Sequence, residues 1–314
     1  MRYALVMCGA PVPSGYDQVF TIPARSIVAL STTYLTHLEN LGVVDKIKGI
    51  GLAHYVYSQR IHNQIAAGKT IALGQGSTLN QEALFLLKPD VVFTYGTGNP
   101  NTDVLPVLRK GNLPVAIVAE YREPSPLART EWIKFLALFF NAEEKADRYF
   151  HQVEKRYQQL KQLTQNVKKR PTVMAGFSYQ GVWYVPGGKT YPAQLLADAG
   201  ANYLWANDAS KESLQLSFED VLLKGQQAEY WVNGDQTWRT VKDILKTDDR
   251  YSQFRAVQNR NVYLANKRLH EKGANDFWES GVANPHLILA DLIKIFHPQL
   301  LPDHELVYYQ KIQP

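Results

Sequence analysis

The stretch Ala142-Glu-Glu-Lys-Ala-Asp-Arg-Tyr-Phe-His-Gln-Val-Glu-Lys-Arg-Tyr-Gln-Gln-Leu-Lys-Gln-Leu-Thr-Gln-Asn-Val167 decides the architecture. Apolar side chains fall at Ala146, Tyr149, Phe150, Val153, Tyr157, Leu160 and Leu163, at steps of three and four, with no Gly or Pro among them. That period is a helix with one buried stripe. At 1.5 Å per residue it makes a rod of roughly 37 Å, longer than most globular helices. Lys168-Lys-Arg-Pro171 ends it, since proline cannot continue the hydrogen-bond ladder.

On both sides of this rod short apolar runs alternate with helical patterns. Before it, Ser26-Ile-Val-Ala-Leu30 is a continuous apolar run, as a strand covered on both faces requires. A helix from Tyr34 to Leu41 follows, closed by Gly42. Then come strand Ile47–Ile50, helix Asn80–Leu87, turn Lys88-Pro-Asp90, strand Val91–Thr94, helix Thr102–Lys110 and strand Pro114–Val118. After the rod, strands are expected at Thr172–Ala175, Tyr230–Val232 and Asn261–Leu264. Helices are expected at Tyr191–Ala199, Val241–Leu245 and Trp278–Phe296. The expectation is α/β: two Rossmann-like lobes with parallel sheets joined by one long inter-lobe α-helix, divided as 1–141, 142–167 and 168–314.

Composition agrees and narrows the function. A chain of 314 residues suggests two domains, and 45% hydrophobic with 20% charged residues is globular. No run reaches the roughly 18 apolar residues that cross a bilayer. The net charge of +5 comes from 34 basic and 29 acidic residues, spread with no dense block beyond Lys168-Lys169-Arg170, so nucleic acid is not an expected partner. A single cysteine, Cys8, excludes an internal disulfide framework. The 18 tyrosines and 6 tryptophans suit a surface that grips an organic ligand. At the N-terminus, Tyr3-Ala-Leu-Val-Met-Cys8 is too short for an export leader, and Met7 stands where a lipidated cysteine wants a small residue. It reads as an edge strand followed by the turn Pro11–Gly15.

Catalytic machinery is not visible. The eight histidines show no HExxH spacing, no GxSxG is present, and Cys8 lacks a base. Gly187-Gly-Lys-Thr190 resembles a phosphate loop, but the first glycine of that motif is replaced by Trp183. What remains is a Gly-rich turn at a helix start, with free backbone N–H groups and Lys189 nearby, suited to an anion or polar ligand. No metal site and no catalytic residue are expected. Glu82 and Glu219 each stand in the first turn of a helix, after Asn80 and Ser217. Each alone reads as ordinary capping and dipole pairing. Their equivalent places in the two halves offer another reading, two matched carboxylates that dock a symmetric basic partner.

Together these segments resemble the solute-binding proteins that serve iron-siderophore, haem and cobalamin ABC importers. The resemblance rests on Ile27-Val-Ala-Leu-Ser31 with the helix to Gly42, and on Leu79-Asn-Gln-Glu82-Ala-Leu with Leu87-Lys-Pro-Asp-Val-Val92. The long helix, Pro192-Ala-Gln-Leu-Leu-Ala-Asp-Ala-Gly-Ala201 and Leu216-Ser-Phe-Glu219 complete it, over about Arg25 to Phe296. It implies ligand in a cleft where the lobes meet, and Glu82 and Glu219 engaging the two subunits of a permease dimer. It also implies a monomer, periplasmic or anchored to the outer face of the cytoplasmic membrane. An export signal is not evident, so the chain is read as truncated at its N-terminus.

Ligands of open α/β sheets bind beyond the carboxyl ends of the strands. There the loops offer Thr32, Thr33, His54-Tyr55, Tyr95-Gly-Thr-Gly98 and Glu120-Tyr-Arg122, then Phe177-Ser-Tyr179, Trp183 to Tyr191, Gly234 to Arg239 and Lys267-Arg268. The expected ligand set is Thr32, Thr33, Tyr55, Tyr95, Arg122, Tyr179, Trp183, Lys189, Tyr191, Trp238 and Arg268. Such rings and cations suit an anionic iron chelate, with cobalamin or haem as alternatives of the same class and a chelatase-like metal-handling enzyme as the alternative of another.

Overall fold

The computed structural model describes residues 1–96 and 103–314, with Ser77 described in its backbone alone. The chain divides into two compact units, each with its own sheet. Unit one holds Met1–Arg122, Arg129–Gln152 and His270–Ala283; unit two holds Glu123–Ala128, Val153–Leu269 and Asn284–Pro314. The division thus falls inside the long helix, which runs Glu143–Thr164. It differs from the simple order 1–141, 142–167, 168–314 because 270–283 return to unit one and 123–128 belong to unit two.

In unit one the five strands lie in the order Ile71–Ala72, Ile47–Ile50, Ile27–Ala29, Val91–Thr94, Val115–Ile117, all parallel. Val28 and Val92 project into a core cluster with Leu73, Leu84, Leu108 and Val115, every one nearly sealed from water. In unit two the order is Asn202–Tyr203, Thr172–Ala175, Tyr230–Val232, Val262–Leu264, with Gln310–Lys311 antiparallel at the edge. A separate antiparallel sheet pairs Phe177–Tyr179 and Ser213–Leu216 with the central Val182–Pro186. The first residues form a two-stranded parallel ribbon, Tyr3–Met7 with Gln18–Ile22.

The long helix buries the predicted stripe: Ala146, Phe150, Val153, Tyr157 and Leu160 are nearly inaccessible. Leu163, at 42% exposed, departs from it. Within unit one the Tyr149 hydroxyl donates to the Ala283 carbonyl at 2.9 Å. Within unit two the Tyr157 hydroxyl donates to the buried Asp198 carboxylate at 2.7 Å, and Lys161 pairs with it at 2.9 Å. The last predicted helix is broken. Turn Asp276–Trp278 and helix Ser280–Ala283 end before Asn284, and Pro285 opens a new helix, Pro285–Phe296. Proline lacks the N–H that would continue the ladder and excludes helical geometry from its predecessor. Helices Gln59–Ala66 and Pro126–Ala137 were not evident in the sequence pattern. Of helix Thr102–Lys110 the structure describes Leu105–Lys110; Thr102 lies outside the described residues.

Candidate functional site

In unit one the loops leaving the carboxyl ends of the parallel strands form one face. The loop after Ile27–Ala29 carries half-buried Thr32 and Thr33 in a tight turn, where the Ser31 and Thr33 hydroxyls share a hydrogen bond at 2.8 Å. The Thr33 hydroxyl also donates to Glu120 at 2.6 Å, tying this loop to the one after Val115–Ile117. Tyr95 follows strand Val91–Thr94, accepts from the Gln75 side-chain amide, and meets Tyr121 edge to face at 6.5 Å. The Tyr121 hydroxyl donates to the Gly96 carbonyl at 2.5 Å, and Arg129 donates to the Tyr121 carbonyl at 2.7 Å. Arg122 is exposed beside them, and Tyr55, 49% exposed, packs on His54 at 4.2 Å. Thr97 and Gly98 of the expected loop lie outside the described residues.

Beneath this face sits a carboxyl group that the ligand set did not include. Glu120 is 3% exposed, and its second oxygen has no hydrogen-bond partner. Burial raises its pKa, because a charge removed from water without a full complement of donors is disfavoured. The hydroxyl of Thr94 is likewise buried and unpartnered. The strand-end rule pointed at Glu120, which closely follows Val115–Ile117; its hydrogen-bond partner Thr33 lies 87 residues away, which no local pattern reveals. Glu279 is a second case. It accepts from the N–H groups of Tyr57 at 2.7 Å and Ser58 at 3.0 Å, anchoring the loop that follows the His54–Tyr55 turn. Burial, aided by Asp276 and Glu39, pushes its pKa up to about 7.

In unit two the strand-end face contains exposed Tyr179 (58%) and Phe177 (38%). Arg268 is exposed, with its guanidinium 5.9 Å from the Tyr308 ring. Three expected ligand residues are instead core. Trp183 is 1% exposed, Trp238 3% and Tyr191 5%. Trp183 and Trp238 both pack on Trp231, at 5.4 and 5.2 Å, within an aromatic cluster that includes Tyr251 and Phe254. The Trp238 indole N–H is satisfied by the Thr247 hydroxyl at 2.9 Å. For Trp183 the alternation of Val182–Pro186 is the cause: with Trp183 and Val185 inward, Tyr184 is the ring that faces outward.

The Gly187–Thr190 turn also departs from expectation. The N–H groups of Gly187, Lys189 and Thr190 are spent on the carbonyls of Glu212, Ser210 and Gly187, so they are not free for an anion. A Cβ at Gly188 would lie 2.4 Å from the carbonyl oxygens of Ala206 and Asp208. The glycines are there for close packing, and Thr190 caps the helix Tyr191–Asp198. Lys189 itself is exposed. A cavity of about 600 Å³ in unit two opens elsewhere, against Lys168, Lys169, Pro171, Tyr230 and His297, at the starts rather than the ends of the strands.

Glu82 and Glu219 both stand exposed in the first turns of their helices, Gln81–Leu87 and Phe218–Gly225. Neither makes the capping hydrogen bond. Asn80 accepts from Ala83 N–H at 3.0 Å, and Ser217 and Asp220 form a reciprocal capping box. Glu219 lies 3.6 Å from Arg250, which is engaged more closely by Asp248 at 2.7 Å. Among the described residues no group of three or more His, Cys, Asp or Glu side chains is placed to hold a metal ion.

Each of the two α/β units thus presents a loop face at the strand ends of a largely parallel sheet. Residues 27–269 match the family model described as periplasmic binding protein, and the chain belongs to that family. An uncharacterized lipoprotein of Methanocaldococcus jannaschii is 26% identical, the match covering 96% of this chain and 73% of the relative. A possible iron-binding (periplasmic solute-binding) protein from Staphylococcus epidermidis has the same fold with a TM-score of 0.67 at 16% identity, covering 88% of this chain and 99% of that one. Ceue of Helicobacter pylori with Ni(II) bound also reaches 0.67 at 16% identity, covering 93% and 90%.

Proposed function

We propose that this protein is the solute-binding component of an ABC importer, capturing a ferric siderophore or similar iron complex and delivering it to a permease dimer. The observation that carries the reading is the pair of exposed glutamates, Glu82 and Glu219. They hold the same helical position in the two units, and neither is needed for capping. Membership of the periplasmic binding protein family supports it, as do solved structures of like fold, one a possible iron-binding protein and one with Ni(II) bound. The ligand would meet Thr32, Thr33, Tyr55, Tyr95 and Arg122 on unit one, and Tyr179, Lys189 and Arg268 on unit two. Exposed rings and guanidinium groups favour an anionic chelate through stacking and charge-assisted hydrogen bonds. The description of a relative as a lipoprotein supports a place in the periplasm or on the outer face of the cytoplasmic membrane.

The test is a fluorescence titration against ferric siderophores, haem and cobalamin. Saturable binding of a ferric siderophore without turnover is the expected result. Saturation by haem or cobalamin alone would replace the ligand, and catalytic conversion of any of them would overturn the reading.

A further inference from the structure

The two helices that carry Glu82 and Glu219 share more than their acidic residue. In the first, Glu82-Ala-Leu-Phe-Leu86 places Leu84 fully in the core and leaves Leu86 75% exposed. In the second, Glu219-Asp-Val-Leu-Leu223 places Val221 fully in the core and leaves Leu223 88% exposed. The N-caps fall two residues before each glutamate, at Asn80 and Ser217. The register is therefore fixed from both ends. Cap, glutamate, buried anchor and exposed leucine occupy matching positions, and each glutamate stands one turn, about 6 Å, from its leucine on the same helix face.

A single exposed leucine means little, because much of any protein surface is apolar. Two at the same offset from the same acidic residue, in separate units, are a repeated element. Water-exposed leucine adds nothing to the fold of its own unit, whereas burial against a partner removes its apolar area from water. We infer that Leu86 and Leu223 are the apolar half of a docking element used once per unit, and that its occupant is a pair of equivalent membrane-embedded protein subunits. Each subunit would offer a cation to the glutamate and an apolar socket to the leucine. Charge complementarity selects the cation, and the duplication selects a partner with two like surfaces. The inference rests on the importer reading and adds residues to it.

Sedimentation binding of the purified protein to membrane vesicles of the source organism, outer face outward, tests this. Leu86→Gln and Leu223→Gln should each weaken binding about tenfold, and together about a hundredfold, since distant sites add. Leu163→Gln, at another exposed leucine, should bind as wild type. Unfolding midpoints and ligand titration show that each variant is intact. Wild-type binding by the double leucine variant, with binding lost in Glu82→Lys plus Glu219→Lys, would overturn this inference and leave the importer reading standing. No effect of either pair would remove both. Equal binding to protein-free vesicles of the extracted lipids would also overturn it, by making the contact a lipid one.

Discussion

Replacing Glu279 by Gln should remove a pH dependence of stability that the wild-type protein carries. Glu279 is 2% exposed and holds the N–H groups of Tyr57 and Ser58, yet burial lifts its pKa to about 7. In the unfolded chain a glutamate titrates near 4.5. Between those values the folded protein holds a proton that the unfolded chain has released, so stability falls as pH rises from about 4.5 to about 7. A displacement of that size corresponds to about 3 kcal/mol. His37 works in the opposite direction. Burial lowers its pKa to about 4, so its contribution is lost as pH falls through the range from 6.5 to 4. The two slopes oppose each other in the wild type between about pH 4.5 and 6.5. His286, which burial also lowers to about 4, adds to the histidine slope, and buried Glu120 adds to the carboxyl slope. Glu279→Gln removes only the share that Glu279 contributes. The amide keeps one acceptor and gives up the other, a constant cost of about 1–3 kcal/mol from an unmet backbone donor. Urea denaturation of both proteins at intervals from pH 4.5 to 7.5 measures the difference. Wild-type stability minus variant stability should fall by about 3 kcal/mol across that window. A difference independent of pH would refute the reasoning.

Two further outcomes follow from the placement of the aromatic and basic residues. Trp183→Ala should destabilise unit two by about 3–5 kcal/mol in urea denaturation, the range for a large ring removed from a core, without altering ligand affinity in the folded protein. Lost affinity at full folding would return Trp183 to the ligand face. Arg122→Ala combined with Arg268→Ala should weaken an anionic chelate by about 2–4 kcal/mol in the fluorescence titration, on the scale of one or two charged hydrogen bonds. Unchanged affinity would point to a nearly neutral ligand such as cobalamin.

The sequence shows most clearly what is set by local periodicity. The stripe from Ala146 to Leu160 and the runs at Ile27, Val91, Thr172 and Tyr230 became the long helix and the central strands of both sheets. Features that depend on distant partners were harder to see. Trp183 was expected to face ligand; the pairing of Val182–Pro186 with Phe177–Tyr179 and Ser213–Leu216 turned that ring into a core of aromatics drawn from residues 183 to 254. The Gly187-Gly188 turn looked open to an anion, but the carbonyls of residues 206 to 212 close over it. The burial of Glu120, whose loop the strand-end rule did indicate, and the whole of Glu279 were not legible, because their partners, Thr33 in one case and the Tyr57–Ser58 backbone in the other, lie far off in the chain. The matching Glu82 and Glu219 were legible because each depends only on its own cap and helix.

On the proposed reading, those two glutamates make this chain a component of a transporter rather than a free-standing binder. Uptake of a bound ferric siderophore into vesicles carrying the importer, with wild-type protein and with Glu82→Lys plus Glu219→Lys, tests it most directly. Like charges brought together across an interface cost several kcal/mol. The double reversal should bind the chelate as the wild type does and deliver almost none of it. Delivery at the wild-type rate would contradict the importer reading.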